Sequence, residues 1–254
     1  MKIVLMMMVV SVMLPLSAAE INPACKPETR EDWSKPRSEW FTKVASQGKV
    51  GPILFIGDSI THLWEFSETN KYPGGKEIWA KTFKPLNATN FGIAGDRTEH
   101  VLRRITEGKQ LEGINPKLIV LMIGTNNLHR AGKPDTVEQV VEGIELLVKT
   151  MREKLPDSNI LLLGIFPRDL KASSPYRAKI KQINEQLAKL ADGKKVYFMD
   201  IGTKFLNPDG SASKEILRDG IHLSPKGYQI WADVIMPEVL KLSGIKSPEP
   251  LKQK

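Results

Sequence analysis

Five short runs of apolar residues punctuate the chain: "PILFIG" (52–57), "ATNFGI" (88–93), "KLIVLMIG" (117–124), "NILLLGIF" (159–166) and "KVYFMD" (195–200). Most are nearly continuous in apolar character rather than alternating, which predicts strands covered on both faces, as in a parallel sheet. Between them the spacing changes. "RTEHVLRRITEG" (97–108), "DTVEQVVEGIELLVKTMREKL" (135–155), "SPYRAKIKQINEQLAKLA" (174–191) and "SPKGYQIWADVIMPEVLKL" (224–242) place apolar residues three and four apart, the spacing of amphipathic helices. Alternation of the two, joined by right-handed crossovers, predicts an α/β protein: a three-layer α/β/α sandwich around a five-stranded parallel sheet. A polar stretch before the first strand, 28–47, is expected to pack Trp33 and Trp40 against one edge.

The chain start follows another pattern. Lys2 precedes a charge-free apolar run, Ile3 to Leu16, and then Ser17-Ala18-Ala19. A basic residue, an apolar stretch and small residues before a cut after Ala19 read as a secretory signal peptide, and the run is short for a bilayer span. An uncleaved anchor is the alternative. The expected organisation is a signal peptide (1–19), a helical lead-in (20–48), the α/β domain (49–243) and a flexible tail (244–254), with a secreted or periplasmic destination and no stable membrane span after cleavage.

Composition narrows the function classes. The formal net charge of +8 drops to +7 without Lys2, and the Lys and Arg residues are scattered with no basic run interleaved with aromatics. A nucleic-acid partner is therefore not expected. Cys25 is the single cysteine, so no internal disulfide can form. Five residues separate it from Ala19, which argues against a lipid anchor at Cys25 and leaves an incidental thiol near a loose terminus.

Candidate chemistry sits just beyond the strand ends. Gly57-Asp58-Ser59 follows the first, "NFGIAGD" carries Gly95 beyond the second, and "GTNN" carries Asn126 beyond the third; near the C-terminus, "DGIH" sets Asp219 three residues before His222. Taken alone, Asp58 and Ser59 read equally well as a helix N-cap, "DGIH" as an Asp-Gly turn, and Gly95 and Asn126 as turn and loop-bracing residues. Together they supply what acyl transfer needs. Ser59 is a nucleophile, His222 a base that takes its proton, and Asp219 an acceptor for the other imidazole nitrogen. The Gly95 N–H, the Asn126 amide and the Ser59 N–H can face a developing oxyanion. His62, one turn past Ser59, is a rival base without an orienting acid. His100 reads as a surface helix residue and His129 as a loop residue. No phosphate-binding loop, dinucleotide fingerprint, H-E-x-x-H or Cys/His cluster is present, so neither cofactor nor metal is expected. G-x-S-x-G is also missing, since Thr61 stands at its second glycine.

These four blocks resemble the SGNH (GDSL) hydrolase family, and within it the chain is similar to the catalytic subunits of platelet-activating-factor acetylhydrolase Ib. "EIWAKTFKPLNATNFGIAGDRTEHVLRRI" and "PKLIVLMIGTNN" carry that likeness, which covers roughly residues 31–242. The resemblance implies a flavodoxin-like sheet and a serine esterase acting on a short acyl ester, most plausibly acetyl, of a carbohydrate or a small lipid-like alcohol. It also implies catalytic or oxyanion roles for Ser59, Gly95, Asn126, Asp219 and His222. Two departures limit it: the leader peptide, and the stretch "ITHLWEFSETNKYPGGK" after Ser59, longer than in those relatives. The latter makes Trp64 a candidate substrate-binding residue, against a reading as a buried packing residue. Alternatives are a non-catalytic secreted carbohydrate-binding or interaction protein, a lysophospholipase or thioesterase of the same family, and a flavodoxin-like nucleotide binder. Oligomeric state, monomer or homodimer, is left open.

Overall fold

The computed structural model describes residues 21–246. The expected leader, its cleavage point and the last residues of the expected tail lie outside the described residues. Strands β1 (Ile53–Gly57), β2 (Ala88–Gly92), β3 (Leu118–Met122), β4 (Asn159–Leu163) and β5 (Val196–Met199) form one parallel sheet in the order β2-β1-β3-β4-β5. All five predicted strands are present. Four of them stop one to three residues before their apolar run ends. Ile93, Ile123 and Ile165 leave the ladder there yet stay buried, because continuous apolar character records burial and not strand length.

Helices α1 (Lys35–Ser46), α2 (Ser59–His62), α3 (Lys76–Thr82), α4 (Thr98–Ile105), α5 (Val137–Lys154), α6 (Pro175–Leu187) and α7 (Pro225–Ser243) cover the sheet. Local sequence fixes their ends. Thr136 Oγ1 accepts the Gln139 N–H at 3.2 Å while Gln139 Oε1 accepts the Thr136 N–H at 2.9 Å, a capping box that starts α5. Ser224 caps α7, Pro225 occupies its first turn, and Gly244 ends it in the left-handed region at φ 67°. α3, with no fully buried residue and only seven residues, was not legible in the pattern.

Strand side chains alternate between two cores. Leu54, Ile56, Ile119 and Leu121 meet residues of α1, α4, α5 and α6. Ile53, Phe55, Val120 and Met122 meet Trp64, Phe83, Tyr228 and Trp231 on the opposite face, under α2, α3 and α7. With both faces covered, only loops at the strand ends are available for chemistry. The order 2-1-3-4-5 places the topological switch between β1 and β3, and a crevice at the carboxyl ends there is where such sheets bind ligands.

Three expectations about individual residues are corrected here. Trp33 and Trp40 do not pack on the sheet: they are 63% and 50% exposed, because the apolar stripe of α1 is Phe41, Val44 and Ala45. The segment around Cys25 is not loose. Asn22 Nδ2 bonds Gln139 O at 3.0 Å and Glu142 Oε2 at 2.8 Å, Ala24 O accepts from Thr98 Oγ1 at 2.8 Å, and burial with nearby Glu142 raises the Cys25 pKa. His100 is buried rather than on the surface, its Nδ1 accepting the Arg97 N–H at 3.0 Å. Burial among Arg97, Arg30 and other arginines holds its pKa down to about 3.

Candidate active site

β1 delivers its chain to Asp58, whose Oδ1 accepts the Ile60 N–H at 2.9 Å and so caps α2 with Ser59 at its first position. Of the two readings of "GDS", the cap falls to the aspartate alone, which leaves the Ser59 hydroxyl for a different partner. Glycines let α2 lie across the strand ends. A Cβ on Gly57 would stand 2.2 Å from Thr61 Oγ1, and one on Gly92 would stand 2.4 Å from His62 N. Asp58 is fully buried, its Oδ2 has no partner among the described residues, and burial pushes its pKa up to about 7.

Ser59 Oγ lies 2.9 Å from His222 Nε2, and His222 Nδ1 lies 2.7 Å from Asp219 Oδ2. Asp219 Oδ1 also accepts the backbone N–H groups of His222 at 2.8 Å and Ile221 at 3.0 Å. The turn that holds the pair is closed by the Arg218 N–H on His222 O at 3.0 Å and a Leu217–Leu223 bridge, with Gly220 at φ 86° between them. Partial burial works to raise the Asp219 pKa, but the bonds from the His222 ring and backbone outweigh it and hold the carboxyl well below the usual carboxylate range. Asp219 therefore stays charged across ordinary pH and fixes the Nδ1–H tautomer of His222.

Gly95 sits in the turn after β2 at φ 83°, a conformation that glycine adopts without strain. Asn126, after β3, donates from Nδ2 to Asp96 O at 2.8 Å, which ties the β3 loop to the β2 loop and leaves its second amide proton for another acceptor. Among the described residues neither the Gly95 N–H nor the Ser59 N–H donates to a protein group. Serine, glycine and asparagine thus come from the loops after β1, β2 and β3, three strands adjacent in space.

The remaining candidates separate from this group. His62 Nδ1 accepts the Ala94 N–H at 3.3 Å, and burial with Arg37 nearby holds its pKa down to about 4, so it is a neutral brace under the Gly95 turn. His129 is exposed against Tyr176 OH at 3.0 Å. Trp64 is fully buried, its ring 4.5 Å from Tyr228 and 5.0 Å from Trp231, centroid to centroid. No substrate can reach it there, so the expectation of a binding role gives way to packing.

Sequence reading missed the residues that hold the loops. Buried Asp96 is paired by Arg104 Nε at 2.9 Å and Arg30 Nη1 at 3.0 Å, while Arg104 also bonds Gln110 Oε1 at 2.7 Å. Asn127, next to Asn126, accepts the Thr98 N–H at 3.1 Å and donates to Glu99 Oε2 at 3.1 Å and Asp135 Oδ2 at 2.8 Å. After β4, Arg168 Nη1 donates to Thr125 O at 3.1 Å, and Asp169, at φ 66°, donates its N–H to Gly220 O at 2.7 Å. Two consecutive residues thereby reach the Asn126 loop and the Asp219 turn. The only sequence signal was the charge itself, an Arg-Asp pair that follows the apolar run and Pro167, with four residues separating it from β4.

Among described residues Glu28, Glu99 and His100 come close enough to hold a metal ion. Arg97 and Arg130 already pair both glutamates, which satisfies that cluster without a cation. No helix among the described residues is long and apolar enough to cross a membrane.

Comparison with known proteins places the chain in a family. The model of the GDSL-like lipase/acylhydrolase family matches residues 55–230. Human platelet-activating factor acetylhydrolase IB subunit alpha1 is 36% identical over 217 residues, 83% of this chain and 87% of that one. The alpha2 subunit from Rattus norvegicus is 36% identical over 223 residues, 84% and 88% of the two chains. Among solved structures, a GDSL-like lipase from Bacteroides thetaiotaomicron aligns with TM-score 0.61 at 18% identity, over 80% of this chain and 98% of that one. An acetylxylan esterase from Geobacillus stearothermophilus aligns with TM-score 0.55 at 20% identity, over 78% and 97%.

Proposed function

The chain belongs to the GDSL-like lipase/acylhydrolase family and is a carboxylic ester hydrolase, and from that premise we propose that it is a secreted serine esterase that removes a short acyl group through an acyl-enzyme. The observation that carries this is the continuous path from Asp219 through both nitrogens of His222 to Ser59 Oγ. His222 Nε2 takes the Ser59 hydroxyl proton as Oγ bonds to the ester carbonyl carbon. The carbonyl oxygen becomes an oxyanion, received by the Ser59 and Gly95 N–H groups and the Asn126 amide. Collapse of that intermediate breaks the bond to the alcohol oxygen, which takes the proton back from Nε2. Water then repeats the sequence, giving its proton to His222, and releases the acid and free Ser59.

An acetyl or similarly short acyl group is favoured by the relatives, whose names carry acetylhydrolase and acetylxylan esterase. The alcohol is a saccharide or a small lipid-like alcohol. Secretion rests on Lys2, the apolar run to Leu16 and the small residues up to Ala19. Turnover of p-nitrophenyl esters of increasing acyl length by wild type and Ser59→Ala tests the reading. Acetate is expected to be the best substrate, and Ser59→Ala to lose about three to six orders of magnitude in kcat. Retained activity in Ser59→Ala overturns the assignment.

A further inference from the structure

Two exposed aromatic rings flank the proposed site, and neither belongs to a core. Trp33, 63% exposed, stands on the Gly95 side. Arg30 lies 5.4 Å under its ring centroid, and the same guanidinium donates to Ala94 O at 2.8 Å and packs against Gly95, where a Cβ would stand 3.2 Å from it. Tyr72, 51% exposed, stands on the Asp219 side. Its ring lies 5.9 Å from Arg218 Cζ, and Arg218 Nη1 is 3.7 Å from Asp219 Oδ2.

The segment that carries Tyr72 is built and not slack. Ser67 Oγ and the Glu68 N–H bond the Glu77 carboxylate, at 2.6 and 3.1 Å, and the Tyr72 N–H bonds Asn70 Oδ1 at 2.9 Å. Its return leg lies flat on Trp64 because it is glycine: a Cβ on Gly75 would stand 2.4 Å from the Trp64 ring. A chain that fixes a loop this firmly and leaves a tyrosine in water at its tip has positioned a contact surface. Beside Asp219 and Gly220 opens a cleft of about 470 Å³, walled by Asp169, Lys171, Ser173 and Ser174, with Leu170 and Pro175 its apolar members.

We infer that Trp33 and Tyr72 are the specificity-determining rim of the site and that they receive the saccharide rings of an acylated carbohydrate, a deepening that rests on the ester-hydrolase reading above. Flat aromatic rings offer a surface for the C–H faces of pyranoses, and the polar cleft offers partners for their hydroxyls. The charge on the rim argues against a choline-type alcohol. A quaternary ammonium is drawn to an aromatic face, but here Arg30 already sits on Trp33, and Lys71, 5.4 Å from the ring, joins Arg218 on Tyr72. A cationic headgroup would have to compete for each ring with the cation already on it, even though Arg30 is itself paired with Asp32 at 2.7 Å and Arg218 lies 3.7 Å from Asp219. Trp40 supplies an internal control: it is equally conspicuous but lies beside Lys49 and Thr89, at the amino end of the sheet.

The test compares Trp33→Ala, Tyr72→Ala, their double variant and Trp40→Ala. Three substrates are used: a partially acetylated xylo-oligosaccharide, an acetylated glycerophosphocholine and p-nitrophenyl acetate. Wild type is expected to prefer the oligosaccharide to the phosphocholine ester. Its kcat/KM relative to p-nitrophenyl acetate should fall at least tenfold in the double variant, chiefly through KM, and stay unchanged in Trp40→Ala. Binding of the oligosaccharide to Ser59→Ala, followed by tryptophan fluorescence, should weaken about tenfold when Trp33→Ala is added. A ratio within twofold of wild type, a preference for phosphocholine, or a change from dimer to monomer in Trp33→Ala with the ratio unmoved overturns the rim. Full activity in Ser59→Ala would instead overturn the serine mechanism, while the fluorescence titration still reads the rim on its own.

Discussion

The Asp219–His222 arm and the loops proposed to hold the oxyanion solve the same problem of fixing a polar group at a strand end, but with contacts of different range. The arm is a surface turn. Its carboxylate side chain is 44% exposed, the bonds to that carboxylate span two or three residues, and one bond from outside, Asp169 N–H to Gly220 O, steadies the turn. The loops of Gly95 and Asn126 rest on buried charge, with bonds that reach across 28 residues from Asn127 to Glu99 and 66 from Arg30 to Asp96. A short turn carries its own geometry and tolerates water. A loop whose job is to aim N–H groups must be held from outside, and buried ion pairs do this at the cost of desolvation, so losing one partner is severe.

That contrast can be broken experimentally, beginning with the arm. Asp219→Asn is expected to lower kcat about 10⁴-fold by favouring the wrong His222 tautomer, with a melting temperature close to wild type. Asn126→Ala should cost about 10²–10³ in kcat, measured on p-nitrophenyl acetate, as one oxyanion donor and the tie to Asp96 O disappear together. Arg104→Met, behind the same loop, is expected to act mainly on stability. It leaves Asp96 with Arg30 alone and should cost about 3–5 kcal/mol in urea unfolding, with a smaller loss of turnover per folded molecule than Asn126→Ala. If Arg104→Met unfolds like wild type, the buried lattice is not what holds the loop.

The smallest effect concerns Asp58, between the two halves. Its folded pKa, raised by burial to about 7, lies above the unfolded value near 3.9. The native state therefore keeps a proton that the unfolded chain loses. The stability this gives is fully present below about pH 4 and is lost as pH rises through about 7. Asp58→Asn keeps the capping oxygen and cannot ionise, so its melting temperature relative to wild type should rise by a few degrees between pH 4 and 8. A constant difference across that range would mean Asp58 is charged in the native state.

What the sequence disclosed follows the same division of range. Apolar runs and three-four spacing yield all five strands and the long helices, because burial on both faces of a parallel sheet is written residue by residue. The Asp219-to-His222 spacing and the glycine and asparagine at strand ends were legible for the same reason. Asp96 with Arg104 and Asn127 with Asp135, each eight residues apart, and Asp169 with Gly220, 51 apart, were not: none is a contact that a single helix or turn makes by itself, so each pair is defined only by the packed fold. Trp64 and His100 failed in another way. A large aromatic near a nucleophile and a histidine in a charged helix look exposed by composition, and only packing against Tyr228 and Trp231, or among arginines, reveals them as interior.

The Ser59–His222 bond joins residues 163 positions apart. His222 lies three residues before α7, the last helix of the described chain, so the proposed nucleophile and base meet only once the segment leading into that helix is in place. During synthesis, a chain lacking its final segment carries a serine with no base, and on the proposed mechanism it is harmless to every ester it passes. Recovery of esterase activity after dilution from urea would then time the last docking event, while fluorescence of the Trp64 cluster reports the core beneath it.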